Sequence, residues 1–147
     1  MVTTTKNVNQ NHIFVDTNVL IGAYSGEPQF QDEVACLHYL TSLVGKKLYI
    51  STLSVAQLVA KFQKLKSNTE IIKIVRELRH RFEVLSFTKE DIDKSISDIG
   101  TDIEDNMQHI ISTKAHCRII ITKNTRDYTA YQDIHAISPA RVRNIPR

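Results

Sequence analysis

Apolar positions in this chain follow two rhythms. Short unbroken runs recur at 13–15, 48–50, 84–85, 119–121 and 136–137. Bounded by polar and turn residues, they predict buried strands over about 12–16, 47–50, 83–87, 118–122 and 135–137. Longer segments between them space apolar residues three or four apart, as helices do. A short helical turn fits 18–24, and Gly26-Glu27-Pro28 then breaks the chain. Val34, Leu37, Leu40, Leu43 and Val44 predict a helix over 29–44 closed by Gly45. Ser54-Val-Ala-Gln57 reads as a capping box for a helix to about 66 that turns Leu58, Val59 and Phe62 inward. Ser67-Asn68 breaks that helix, and a basic one follows over 69–81 with Ile71, Ile72, Val75 and Leu78. Thr88 caps a helix whose inner face is Ile92, Ile96 and Ile99 and which Gly100 ends. Asp102 caps the next, over 103–115, with Ile103, Met107, Ile110 and Ile111 on one side.

Helices alternating with short apolar strands predict a three-layer α/β/α fold around a central, mostly parallel sheet. No repeat, low-complexity tract or linker interrupts the pattern. Residues 12–147 therefore read as one domain behind a polar, flexible lead at 1–11. At 147 residues such a domain builds a core without metal or disulfide staples. Cys36 and Cys117 lack metal-type spacing and read as buried thiols of a reducing compartment. The polar lead has no signal-peptide core and no apolar run reaches membrane length, so the expected setting is the cytoplasm, with no membrane partner.

The net charge of +3 is modest but unevenly spread. Residues 61–81 hold seven Lys/Arg against two Glu, whereas 88–105 hold seven Asp/Glu against two Lys. A basic face beside an acidic pocket suits an anionic polymer held next to a cation site. Ordinary solvated helix faces are the plainer alternative. Among the basic residues, Lys61, Lys64, Arg76 and Arg79 are candidate phosphate contacts. The apolar Ile71–Leu78 side of the same segment is alternatively an interface.

The acidic residues carry the candidate chemistry. Asp16 ends the first strand, and Asp127 follows the 118–122 strand. In a parallel sheet both open on the carboxyl edge, where such folds bind ligands. Asp105, in the first turn of the 103–115 helix, can face the same crevice. Three converging carboxylates repel one another unless a hard divalent cation sits among them. Each also has a plainer role: Asp16 or Asn18 as a helix N-cap, Asp105 as a complement to the helix dipole, Asp127 as a turn residue.

Four segments in register, from about residue 12 to 140, resemble the PIN-domain family. They are Ile13-Phe-Val-Asp16-Thr17-Asn18-Val-Leu, Asp102-Ile-Glu104-Asp105-Asn-Met-Gln108, Ile120-Ile-Thr122-Lys-Asn124-Thr-Arg-Asp127-Tyr128 and Ile137-Ser-Pro139. The resemblance implies a metal-dependent nuclease that binds one or two Mg²⁺ or Mn²⁺ ions and cleaves RNA. Carried over, Asp16, Asp105 and Asp127 are the metal ligands, with Thr17 and Asn18 beside the first. Thr122 and Asn124 position the last carboxylate and an attacking water. One position departs: family members commonly have Glu where this chain has Gln57. An amide oxygen can still orient water, but the site loses a negative charge, which Glu104 and Asp102 would partly restore.

The size is most like the toxin branch of that family, whose small members dimerise and are blocked by an antitoxin. The resemblance thus implies an endoribonuclease toxin with an antitoxin partner and a homodimeric state. The alternative is a catalytically weak module that binds RNA or a protein partner without cutting. Other chemistries find no support. The six histidines show no zinc spacing, and His109 and His116 read as a cap and surface residues. The four glycines form no phosphate loop, and no nucleophile elbow exists for a Ser/His/Asp enzyme. The extra helices of a flap-type nuclease have no room.

Overall fold

The computed structural model describes residues 11–97 and 102–146. Five strands form one sheet: β1 (His12–Val15), β2 (Lys47–Ser51), β3 (Glu83–Leu85), β4 (Ile119–Ile121) and β5 (His135–Ile137). Every pairing is parallel and the order is β3-β2-β1-β4-β5. The helices are α1 (Thr17–Ser25), α2 (Gln31–Ser42), α3 (Thr52–Phe62), α4 (Asn68–Arg81), α5 (Lys89–Ser95) and α6 (Ile103–Thr113), with 3₁₀ turns at Pro28–Phe30, Thr125–Tyr128 and Pro139–Asn144. None is long and apolar enough to cross a membrane among the described residues.

The strands look uniformly apolar because both faces are covered. Ile13, Val15, Leu48, Ile50, Ile119 and Ile121 point to one side, where they meet Val19 and Leu20 of α1, Leu37 and Leu40 of α2, Leu58 and Phe62 of α3 and Leu78 of α4. Phe14, Tyr49 and Ile120 point to the other, against Ile111 of α6, Tyr128 and Tyr131. The three layers are thus α/β/α, and β1 is the central strand. Cys36 and Cys117 are free thiols buried one in each core.

Several helix expectations need correction. The second helix spans Gln31–Ser42, shorter than 29–44, and leaves Val34 39% and Val44 92% exposed. Leu43 is its C-cap, and Gly45, at φ 80°, makes the left-handed turn into β2. Ser51, not Ser54, caps α3: its hydroxyl accepts from the Ser54 N–H at 3.0 Å. Ser54 is consequently free to use its own hydroxyl elsewhere. Capping boxes occur instead at Ser67/Glu70 and Thr88/Asp91. Ile71 and Leu78 turn into the protein's own core, so they are no interface, and Ile72 remains exposed.

The predicted apolar face of α5 is turned outward, and that of α6 holds at Ile111 but not at Ile103. Ile92, Ile96 and Ile103 are 44%, 73% and 45% exposed, while α5 buries Asp91 and Ser95 and α6 buries Asn106, Gln108, His109 and Ser112 beside Ile111. Hydrogen bonds offset that desolvation. Asn106 donates to the Ser95 carbonyl at 3.1 Å, and Lys114 donates to Asp91 at 2.8 Å. His109 is buried rather than a surface residue, pairing with Asp133 at 2.7 Å and stacking on Tyr131. Ile99 and Gly100 lie outside the described residues, as does the lead at 1–11 apart from Asn11, whose carbonyl accepts from the Lys47 N–H.

Candidate active site

Where β1 ends, the chain must leave a sheet with both faces covered, and Asp16 manages the exit. One carboxylate oxygen accepts from the Thr17 N–H at 2.8 Å, capping α1, and the other accepts from the Thr122 hydroxyl at 2.8 Å. The backbone N–H of Asp16 donates to Ile121 at 2.9 Å, so the side chain is fixed from α1 and β4 together. Capping and site placement are therefore compatible in one residue. Thr122 in turn accepts from the Asn124 N–H at 3.1 Å, and Asn18 accepts from the Lys123 N–H at 3.3 Å, which ties the exit of β4 to the start of α1.

A crevice of about 320 Å³ opens above Asp16. Asp16, Glu104 and Asp105 line it, with Gln57, Lys61 and Asn124 opposite. Asp102 caps α6, accepting from the Asp105 N–H at 3.1 Å. Asp127 sits on the exposed 3₁₀ turn after β4 and does not line the crevice, but its charge reaches Asp105. Burial, then the charges of Asp102, Asp16 and Asp127, push the Asp105 carboxyl up to about 7. Burial also raises Asp16, against the hydrogen bonds from Thr122 and Thr17, and Glu104 and Asp102 raise it further. The Tyr128 hydroxyl, buried and otherwise unpartnered, lies close enough to Asp105 to relieve it slightly.

Little positive charge answers this. Among the described residues Lys61 is the one Lys or Arg lining the crevice, against three carboxylates. Lys123 is drawn off toward Glu33 at 4.0 Å and the Phe30 ring at 4.7 Å. Of the other basic candidates, Arg79 lines a separate groove beside β3, and exposed Lys64 and Arg76 line neither cavity.

Beneath the crevice lies a polar network that sequence reasoning missed. Ser51 donates to the Gln108 carbonyl at 3.1 Å, Ser54 lies 3.1 Å from Ser51, and Gln108 donates to Ser54 and Thr17, each at 3.0 Å. Thr17 donates to the Gln57 carbonyl at 2.7 Å, and Gln57 donates to Glu104 at 3.4 Å. The Thr17 hydroxyl also lies 2.8 Å from that of Ser54, so its single hydrogen is shared between Ser54 and the Gln57 side-chain carbonyl, and the network links Ser51 to Glu104. Reversing the Gln57 amide would set its oxygen against a carboxylate, so Glu104 fixes its orientation. Gln57 is thus not the capping-box partner of Ser54; it lines the crevice and its amide N–H donates to Glu104. The available signal was the spacing of Gln108, three residues after Asp105 and so on the same helical face.

A family model described as a PIN domain matches residues 12–126. The chain belongs to the PIN-domain family. No curated protein matches the sequence. Among solved structures, this PIN domain resembles the VapBC2 complex of Rickettsia felis bound to a promoter DNA fragment, at 16% identity and a TM-score of 0.61, covering 86% of this chain and 98% of that one. FitAcB from Neisseria gonorrhoeae gives 20% and 0.62 over 86% and 97%. VapC20 of Mycobacterium tuberculosis, a toxin that cleaves the sarcin–ricin loop, gives 11% and 0.59 over 74% and 86%. At these identities the likeness establishes the fold.

The crevice of this PIN domain offers only oxygen donors and surplus negative charge, the chemistry of a hard-cation site. Among the described residues no three His, Cys, Asp or Glu side chains stand close enough together to enclose an ion. Mg²⁺ does not require such a cage: it keeps several waters and takes one or two carboxylates plus substrate phosphate. Asp16 and Asp105 are two carboxylates lining one crevice.

Proposed function

We propose that this PIN domain is a divalent-metal-dependent endoribonuclease that hydrolyses RNA phosphodiester bonds as the toxin of a toxin–antitoxin pair. The observation that carries the reading is the crevice at the carboxyl edge of the sheet, where Asp16, Glu104 and Asp105 meet with Lys61 as the one ammonium among the described residues, and where burial and neighbouring charge raise the Asp105 carboxyl. Such a cluster is costly for a fold to keep without a cation to bind. Family membership and the toxin–antitoxin complexes among the similar structures support the reading of a nuclease toxin.

Asp16 and Asp105 would hold Mg²⁺ or Mn²⁺, with Asp127 and Asn124 at the rim and Thr122 keeping Asp16 in place. A divalent ion held there would supply an acidified water and neutralise the charge that develops on the phosphate oxygens. Lys61, which has no ion pair among the described residues, would meet a phosphate oxygen. Gln57 keeps Glu104 turned toward the crevice, so that residue supplies the charge that a carboxylate at position 57 would have brought. A homodimer with an antitoxin partner, whose basic group would pair with these carboxylates, completes the proposal. The second reading, a module that binds RNA or protein without cutting, draws on Gln57, which leaves the crevice one charge short.

RNA cleavage assays with Mn²⁺ test the reading. Cleavage that disappears in EDTA and in Asp16→Asn supports the enzyme. RNA affinity without metal binding at millimolar Mn²⁺, and without cleavage, supports the second reading.

A further inference from the structure

The crevice is not the only charged surface on the sheet. A groove of about 580 Å³ runs outside β3, the edge strand farthest from β5. Lys46, Lys47, Arg79, His80 and Arg81 line it, and Glu83 is its one acid. Arg81 is engaged by Glu77 at 2.8 Å, and Lys46 donates to the neutral Asn11 amide at 3.1 Å, so Lys46, Lys47 and Arg79 keep unpaired charges among the described residues. The last turn of α4 benefits from cations near its own carbonyls. Lys46 and Lys47 come from a different segment and have no such role, so their convergence with Arg79 is a tertiary feature.

The floor says what kind of ligand fits. Leu48 and Phe82 are buried and Val84 half-buried, leaving no aromatic or aliphatic anchor of the kind a protein interface uses. What remains is positive charge along a track. That track starts beside Lys46 and Lys47 at the amino end of β2 and reaches Thr52 and Ser86 at the carboxyl edge of the sheet. Asp16 opens on the same edge. Two strand spacings, about 10 Å, separate β3 from β1.

We propose that this groove is a phosphodiester-binding exosite: it holds the backbone of the RNA a few nucleotides away from the segment lying in the acidic crevice. The proposal rests on the reading of the crevice as a ribonuclease site and adds where the flanking RNA goes. The groove contacts phosphate rather than bases, so it contributes affinity and direction of approach, not sequence choice. It also counters the repulsion that the acidic crevice exerts on any polyanion.

The test uses the double variant K46Q/K47Q, with K46E/K47E as the stronger form, in an Asp16→Asn background that binds without cutting. Affinity for a 20-nucleotide RNA is measured from low to moderate salt and compared with that for a dinucleotide. Losing two phosphate contacts makes the log–log salt slope shallower by about 1.4 for single-stranded RNA. The expected result is that change, with weakened binding of the long RNA, unaltered dinucleotide binding and an unchanged melting temperature. An unaltered slope in both variants overturns the exosite, as does equal weakening of long and short RNA, and capture of an acidic peptide without RNA would mark the groove as a protein site instead. Cleavage by the wild type with an unaltered slope defeats the exosite alone. A groove-dependent slope in a protein that cuts no RNA defeats the hydrolytic reading alone.

Discussion

Gln57→Glu probes the departure from the family pattern directly. The carboxamide accepts from Thr17 and donates to Glu104 across 3.4 Å. The substitution keeps the acceptor for Thr17 and turns the donor into a second anion facing Glu104. Two unit charges at that distance repel by about 1 kcal/mol at the dielectric of water, and by about 5 kcal/mol at an effective dielectric of 20. Glu104 is exposed and Gln57 only half-buried, so the lower figure governs; the lost hydrogen bond adds about 1 kcal/mol. The metal-free variant should be about 2 kcal/mol less stable, a fall in Tm of about 4–8 °C for a domain of this size. The same charge within about 5 Å of a divalent ion is worth about 1.7 kcal/mol even in water, a gain in affinity of more than about tenfold. Thermal melts in EDTA and across a Mn²⁺ titration, with calorimetric Mn²⁺ affinity, read both effects. The deficit seen in EDTA should nearly close at saturating Mn²⁺. A variant that melts above the wild type in EDTA, or binds Mn²⁺ no more tightly, refutes the assignment of Gln57 as a donor at a cation site.

The raised pKa values of Asp105 and Asp16 make the folded state hold protons that the unfolded chain releases near pH 4. Metal-free stability should therefore fall as pH rises from about 5 to 8, and saturating Mn²⁺ should flatten the profile; a rising metal-free Tm over that window contradicts the site electrostatics. Gln108→Leu removes the acceptor of Ser51 and the donors to Thr17 and Ser54, so urea denaturation should show a loss of about 2–3 kcal/mol, and a loss under about 1 kcal/mol would discount the network. Lys114→Met strips the buried Asp91 of its 2.8 Å partner and should cost about 2 kcal/mol in the same assay, with no change in Mn²⁺ affinity.

The strands were legible because burial on both faces makes them continuously apolar, and β1, β4 and β5 fall within a residue or two of the expected spans. Periodicity failed where a helix packs a polar side inward. Ile103 and Ile92 look like core residues in sequence, yet α5 and α6 bury Asp91, Ser95, Asn106 and Gln108, whose partners cancel the cost of desolvation. The same blindness hid half the site. Asp16 and Asp105 could be placed from a strand end and a helix start. Ser51 and Ser54 could not, because hydroxyls look alike whether solvated or buried, and Gln108 offered only its spacing from Asp105. Their pairings join residues 37, 54 and 91 positions apart.

That network explains how a crevice with so little compensating charge keeps its shape. Repelling carboxylates would splay apart if each were held only by its own backbone. Asp16 is instead anchored by Thr17 and Thr122, from α1 and β4. Thr17 is anchored by Gln108 of α6 and by Gln57 of α3, and Gln57 reaches Glu104 on α6 again. Opening the crevice therefore means breaking hydrogen bonds in several elements at once, and those from Gln108 to Thr17 and Ser54 are buried, where a bond left unmade costs more than it gains when formed. The repulsion is consequently stored in raised pKa values rather than relieved by movement. A cation entering the crevice would meet Asp16 already in position, so its binding energy would go into neutralising charge instead of into reorienting that side chain.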